Sequence, residues 1–320
     1  MKVLIGPNPM GLEESVPYFR EEYPDVEFVH CEERENLKDE IKDADVFVGW
    51  LNREVFLAAK ELKWVQSPSS GINYYLAIPE FVESDVLLTS ARGTHGACLA
   101  ESVFGMIFAF TRQIKDFVLD QQAHKWRGLV SRSEMRELTG CTMGIIGFGT
   151  VGRAVAKRAQ AFDMSIVAVD MFPEDKPDYV RALWGTDHLE ELLKTSDYVV
   201  VTVPYTEETE GMIGAEEIGM LKKDAMLVGI SRGKIIDEEA LARALRGGRL
   251  YAAALDVFAE EPLPEDSPLW DIDNLLITPH AAGGTQYEGE RVIEILKDNM
   301  RRFTEGDLPL RNQIDKKQGF

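Results

Sequence analysis

The stretch MGIIGFGTVG constrains this chain more than any other. An apolar run from Met143 to Ile146 meets Gly147, Gly149 and Gly152 in the spacing GxGxxG, and a helical run follows through Ala154, Ala156 and Ala159. The next apolar run, SIVAVD, ends on Asp170, close to the offset of about 20 residues expected for the acid of a dinucleotide-binding βαβ unit. Each position has a physical reason. Gly147 permits a tight turn, Gly149 lets backbone N–H groups approach a pyrophosphate, and Gly152 allows close helix–sheet packing with the positive helix end facing the anion. Thr150 and Val151 stand inside the fingerprint, at the helix start. Asp170 can accept hydrogen bonds from a ribose 2′-OH and would repel a 2′-phosphate, so the expected cofactor is NAD over NADP. The bland alternative is a glycine-rich turn with no ligand. Strand, helix and acid all in place argue against it.

The rest of the chain alternates in the same way. Lys2–Ile5, Val26–Val29, Asp45–Trp50, Trp64–Gln66 and Val86–Thr89 read as strands, with helices at Leu37–Lys42 and Glu54–Leu62. A long helical stretch follows from about Ala97 to Gln122, with Leu99, Val103, Met106, Ile107 and Phe110 at helical spacing. Strands then resume at Met143–Gly147, Ser165–Asp170, Tyr198–Val203, Ala225–Ile230, Leu250–Asp256 and Leu275–Thr278. The helix Asp237–Arg246 opens on an Asp N-cap and closes on Gly247-Gly248. One more helix, Tyr287–Phe303, is expected to pack back on the first domain, so the chain crosses between domains near residues 97 and 287. The fold class is therefore α/β, with two doubly wound parallel-sheet domains. The expected domains are 97–287 for the dinucleotide and 1–96 plus 288–320 for the substrate.

The 320 residues suffice for two cores, and 45% hydrophobic with 28% charged residues is ordinary globular composition. No apolar run approaches the roughly 20 residues of a membrane span. The three cysteines, Cys31, Cys98 and Cys141, lack metal-ligand spacing. They suggest a reduced, cytoplasmic protein with no metal site. A net charge of −20 argues against nucleic-acid partners and anionic membranes, which need Lys and Arg clusters. It fits a well-solvated surface, or one adapted to salt.

Three later motifs gather at strand ends. GISRGKIID puts Arg232 just beyond a strand that closes on Ile230; ALDVFAEEPLP carries Asp256, Glu260 and Glu261; LLITPHAAGG puts His280 at a strand mouth before Gly283 and Gly284. Alone, these residues read as a surface ion pair, a strand cap, solvated charges and a capped histidine. In one parallel sheet, however, all these strand ends share the edge that bears the cofactor loop, so one cleft could collect Arg232, Glu261, His280 and a dinucleotide.

With GFGTVG, ISRGKIID, ALDVFAEEPLP and TPHAAGG in this order, the chain resembles the D-2-hydroxyacid dehydrogenase family over nearly its whole length, in a short form without the regulatory extension of some phosphoglycerate dehydrogenases. The resemblance implies a Rossmann cofactor domain and a flavodoxin-like substrate domain built from both chain ends. It makes Arg232 the substrate-orienting arginine, His280 the acid/base and Glu261 its carboxylate partner. Asp256 matches the family acid near the nicotinamide carboxamide, and Pro204 a position on the adenine side. Ser70 and Gly71 match the loop whose backbone N–H groups hold the substrate carboxylate. The expected cofactor contacts are thus Gly147, Gly149, Thr150, Val151, Gly152, Asp170, Pro204, Ile230 and Asp256.

The expected reaction is NADH-dependent reduction of a small 2-oxo acid (glyoxylate, hydroxypyruvate or similar) to the D-2-hydroxy acid. Arg232 forks onto a carboxylate or carbonyl oxygen, and Glu261 favours the protonated form of His280. A homodimer through the Ala97–Gln122 helix is also implied. Leu51, in GWLNRE, reads either as an apolar substrate contact or as core. The alternatives are an NADH-sensing binding protein of the same fold, and a phosphite- or formate-type dehydrogenase. The formate branch carries Gln where Glu261 stands.

Overall fold

Parallel strands cannot be joined by hairpins, so each strand of such a sheet is followed by a crossover. In the computed structural model, which describes residues 1–126 and 134–319, crossovers of this kind build two units, Met1–His95 with Thr285–Phe320, and Gly96–Gly284.

The first unit holds β1 (Lys2–Ile5), β2 (Glu27–His30), β3 (Val46–Val48), β4 (Trp64–Gln66) and β5 (Leu87–Thr89). All are parallel, in the order β2-β1-β3-β4-β5, which is the flavodoxin-like order. Every residue of β3 and β4 is buried. Helix Glu288–Glu305 belongs to this unit and sets Val292, Leu296 and Met300, at i, i+4 and i+8, against Val3, Ile5, Phe19 and Trp64. It ends on Gly306 at φ 71°, a left-handed stop suited to glycine. Its start is packed on backbone: a Cβ on Gly289 would lie 2.1 Å from the Met10 carbonyl oxygen.

A buried polar chain locks this helix to the sheet. Trp64 Nε1 donates to Thr89 Oγ1 (2.8 Å), Thr89 to Gln66 Oε1 (2.8 Å), and Asn299 Nδ2 to the same Gln66 oxygen (3.0 Å). Asn299 also accepts from the Arg311 N–H at 2.7 Å. Buried polar groups are tolerable only when satisfied in this way.

The second unit holds β6 (Thr142–Ile146), β7 (Ser165–Val169), β8 (Ala182–Trp184), β9 (Tyr198–Val201), β10 (Met226–Gly229), β11 (Ala252–Leu255) and β12 (Leu275–Ile277). The order is β12-β11-β10-β9-β6-β7-β8, all parallel. Its direction reverses between β6 and β9, the switch point where α/β sheets open a crevice. The edge strand β8 is a seventh strand that the sequence reading lacks. Apolar clusters cover both faces.

The expected single helix Ala97–Gln122 is corrected to two helices, Gly96–Thr111 and Ile114–Gln122, bent by 67°. Gln113 takes a left-handed φ of 54° at the break. The first helix buries Ala100, Val103, Phe104 and Ile107, whereas the second buries no residue. Packing thus holds the first segment to the unit and stops at Thr111. Among the described residues no single helix is long and apolar enough to cross a membrane.

Gly289→Ala should destabilise the first unit by about 1–3 kcal/mol, the cost of forcing volume into a tight contact with backbone. Urea denaturation would show it as a lower midpoint. An unchanged midpoint would mean that the helix is not seated as described.

Candidate active site

The glycine fingerprint occupies the turn between β6 and helix Thr150–Ala161. Gly147 has a φ of 93°, and a Cβ there would stand 2.9 Å from the Val203 nitrogen. A Cβ on Gly152 would lie 2.1 Å from the Gly147 carbonyl oxygen, so only glycine lets the helix approach the strand this closely. At Gly149 a Cβ would meet nothing within 4 Å. That open space lies over the helix N-terminus, where Gly149, Thr150 and Val151 are not fully buried. The cradle fits a pyrophosphate, held by the first-turn N–H groups.

Asp170 follows β7 and is already engaged. Its Oδ2 accepts from the Phe148 N–H at 2.5 Å and its Oδ1 from the Phe172 N–H at 2.9 Å. The carboxylate therefore shapes the glycine turn and keeps lone pairs for a hydroxyl. Pro204 lies past β9, across the switch point, and its carbonyl accepts from Thr209 Oγ1 at 2.8 Å. Ile230 is different: its side chain is buried in the core beside Ala254 and Ala282, so only its backbone is available to a ligand.

His280 and Glu261 come together. His280 Nδ1 lies 2.7 Å from Glu261 Oε2, and the other Glu261 oxygen accepts from the Phe258 N–H at 2.9 Å. The histidine side chain is 45% exposed, so its second nitrogen is reachable by a ligand. His280 has a left-handed φ of 52°, costing roughly 1–2 kcal/mol for a residue with a Cβ.

Asp256 holds that conformation. It is 1% exposed, and its carboxylate accepts from Thr278 Oγ1 (2.6 Å), the Ala281 N–H (2.9 Å) and the Ala282 N–H (3.0 Å). Its carbonyl accepts from the His280 N–H at 2.8 Å. Asp256 is thus committed to the His280 segment.

Arg232 lies three residues past β10, on the edge that also carries His280, and its Nη1 donates to the Ser231 carbonyl at 2.6 Å. The next residue explains the local backbone. A Cβ on Gly233 would stand 1.8 Å from the Phe258 carbonyl oxygen. Glycine here lets the arginine turn and the Glu261 turn touch.

Several residues of this scaffold escaped the sequence reading. Thr278 and Gly233 are two. Cys98 Sγ and Ser102 Oγ donate to the carbonyls of Gly283 (3.1 Å) and Ala282 (3.0 Å), so one helix face fixes the turn after His280. Their spacing of four residues, which puts both on one helix face, was the available signal. Glu238 is another: its Oε1 accepts from the Ala259 N–H at 2.5 Å.

Ser70 and Gly71 lie in the first unit, in the loop after β4. The Gly71 N–H donates inward to Ser69 Oγ at 3.1 Å, while Ser70 is held by its side chain, whose Oγ donates to the Ala91 carbonyl at 3.0 Å. Leu51 is 2% exposed and packs with core residues of that unit, so it reads as core.

Residues 104–282 match the family model described as D-isomer specific 2-hydroxyacid dehydrogenase, NAD binding domain. The chain belongs to the D-isomer specific 2-hydroxyacid dehydrogenase family. A glyoxylate reductase of Korarchaeum cryptofilum is 34% identical over 85% of this chain and 83% of its own length. A D-3-phosphoglycerate dehydrogenase of Methanocaldococcus jannaschii is 33% identical over 90% of this chain, which spans only 55% of that relative. Among solved structures, a family protein from Aeromonas salmonicida superposes with a TM-score of 0.87 at 28% identity, over 98% of this chain and 99% of that one. An NADPH-dependent glyoxylate/hydroxypyruvate reductase from Sinorhizobium meliloti, solved with NADP and sulfate, gives 0.84 at 25% identity over 100% of both chains.

Two outcomes follow from this geometry. Asp256→Asn replaces an acceptor with an NH2 group facing backbone donors, and should lower turnover about 10- to 100-fold by displacing His280. Steady-state kinetics on the purified variant would show it, and unchanged turnover would remove the anchoring role. For Glu238, burial pushes the carboxyl pKa up, with Asp237 and Glu261 adding and the Ala259 N–H opposing. A raised acid favours the folded state only while protonated, so this group costs stability as pH rises through the carboxylate range. Glu238→Gln should therefore gain on the parent more at pH 7 than at pH 4 in urea midpoints.

Proposed function

We propose that this chain is an NAD-dependent D-2-hydroxyacid dehydrogenase that reduces a small 2-oxo acid, of the glyoxylate or hydroxypyruvate kind, with His280 as acid/base. The observation that carries this reading is the 2.7 Å pair of His280 Nδ1 and Glu261 Oε2, on the sheet edge that bears the glycine fingerprint.

The nicotinamide supplies the hydride when it is bound. The remaining work falls to the chain's own groups. A carboxylate only accepts, so Glu261 keeps the proton of His280 on Nδ1 and leaves Nε2 for the substrate oxygen. In the reduction His280 starts as the imidazolium, gives its Nε2 proton to the carbonyl oxygen as that oxygen gains charge and is left neutral with Nδ1–H on Glu261; in the reverse direction the neutral ring takes the proton back on Nε2. Arg232 orients the 2-oxo acid through its planar fork. The Ser70–Gly71 loop holds the substrate carboxylate through the Ser70 N–H, since the Gly71 N–H is already given to Ser69 Oγ.

The preference for NADH rests on Asp170. Its charge opposes a 2′-phosphate, and the next residues, Met171 and Phe172, bring no cation. Arg153 stacks on Phe148 at 4.8 Å and donates to the carbonyls of Asp175 and Glu174. That guanidinium is committed to the protein. A homodimer is supported by the exposed Ile114, Phe117, Val118 and Leu119 on helix Ile114–Gln122. The proposed location is the cytoplasm. Neither a nucleic acid nor a membrane is a proposed partner.

The test is NADH oxidation with a panel of 2-oxo acids, repeated with NADPH and at several salt concentrations. Turnover on one or two acids is expected. NADH binding with no turnover would instead favour a sensor of the same fold. His280→Ala should lose about 10²–10⁴-fold in kcat while still binding NADH; wild-type kcat would end its assigned role. Asp170→Ala should lower the NADH-to-NADPH ratio of kcat/KM by about tenfold, the worth of one charge-assisted contact. An unmoved ratio would point to another specificity residue.

A further inference from the structure

His95, in the first unit, has no part in the chemistry above, yet its side chain is only 13% exposed and both ring nitrogens are engaged. Nδ1 lies 2.7 Å from Thr94 Oγ1 and 3.0 Å from Ser70 Oγ. Nε2 lies 2.9 Å from Glu288 Oε1. A carboxylate accepts only, so Nε2 carries a proton toward Glu288. The two hydroxyls also share the Ala91 carbonyl, at 3.0 Å from Ser70 and 2.8 Å from Thr94. Nδ1 and the Ala91 oxygen both accept and each hydroxyl has one proton, so one hydroxyl donates to the ring and the other to the carbonyl; Ser70 is held either by His95 directly or by the carbonyl that Thr94 leaves to it when Thr94 bonds to His95.

The far end of this clamp is rigid. Glu288 is the first residue of helix Glu288–Glu305, and the neighbouring Gly289 packs directly on the Met10 backbone. The near end is an exposed serine in a loop. Its neighbours are tied inward: the Ser69 N–H and Gly71 N–H donate to Ser67 Oγ and Ser69 Oγ, each at 3.1 Å. The Ser70 N–H donates to no protein acceptor among the described residues. An exposed residue whose side chain is pinned while its amide is left over is a preorganised donor, and preorganisation of this kind lowers the cost of binding.

We propose that His95 is a positioning residue: clamped by Glu288, it holds Ser70 so that the Ser70 N–H points at the carboxylate of the 2-oxo acid. This rests on the reading that the Ser70–Gly71 loop receives that carboxylate. The role differs from that of His280, because His95 acts on the affinity for the acid and not on proton transfer.

The experiment is a double-mutant cycle on the full chain with glyoxylate and NADH, using wild type, His95→Ala, Ser70→Ala and the double variant. Each single change should raise KM about tenfold, as expected for one hydrogen bond to a charged group, with kcat within about twofold and NADH affinity unchanged. The double variant should be no worse than the weaker-binding single, because both break one clamp. Multiplied effects, or a wild-type KM for His95→Ala, overturn the proposal. If Ser70→Ala and His95→Ala both keep the wild-type KM while His280→Ala is inactive, the carboxylate loop is wrong and the proposal falls, though the reaction stands. If the parent turns over no 2-oxo acid, the reaction itself has failed. Amide hydrogen exchange over residues 67–71, which needs no substrate, then decides the clamp. Faster exchange in His95→Ala supports it, and unchanged exchange overturns it.

Discussion

The site depends on one buried carboxylate. Asp256 sits at the end of β11 and is almost wholly removed from solvent. An unpaired carboxylate there would be very costly. Three donors from the segment Thr278–Ala282 satisfy it. Hydrogen bonds to a charged group are worth about 1.5–3 kcal/mol each, against roughly 1–2 kcal/mol for the left-handed backbone of His280. The anchoring exceeds the strain, so the turn is held where an unaided residue would relax. The same turn is gripped from behind by Cys98 and Ser102, and the imidazole it carries meets Glu261 in front.

Much of this was legible in the chain. Parallel alternation leaves few topologies, because every strand must be followed by a crossover and all strand ends then share an edge. That is why the sequence alone puts Arg232, Glu261 and His280 on one edge. What could not be read has physical reasons. Ala182–Trp184 is three half-buried residues on a sheet edge, with no alternation to mark it. The break at Gln113 interrupts a helical pattern that continues on both sides, and only packing tells the two halves apart. An acid at a strand end looks the same in sequence whether it faces a ligand or its own backbone. Nothing around Asp256 in the sequence announces its bonds to Thr278, Ala281 and Ala282. At Ile230 the buried side chain leaves the backbone as the part a ligand could meet, a distinction that residue identity alone does not carry.

Asp170 shows the two uses combined. Its position at the end of β7 was visible from the offset to the fingerprint. Its bond to the Phe148 N–H was not, because the glycine turn must fold back before that amide comes within 2.5 Å. The acid that would select a ribose hydroxyl therefore also shapes the turn that would cradle the pyrophosphate. A substitution made to change cofactor preference acts on both, and a loss of affinity for either cofactor is expected alongside a change in their ratio.

The charge of −20 sets the remaining condition. The proposed substrate, a 2-oxo acid anion, would approach a protein that repels it, so its recognition would have to be local. Directed hydrogen-bond donors act only within a few ångströms. The repulsive field of the surface extends only about 10 Å at 0.1 M salt and about 3 Å at 1 M. Added salt thus weakens the repulsion between distant surface charges and the incoming anion more than it weakens contacts already made inside the site. An acidic surface of this kind costs anion binding most in dilute buffer and least in concentrated salt, and a site built from short, directed donors is the arrangement that tolerates both.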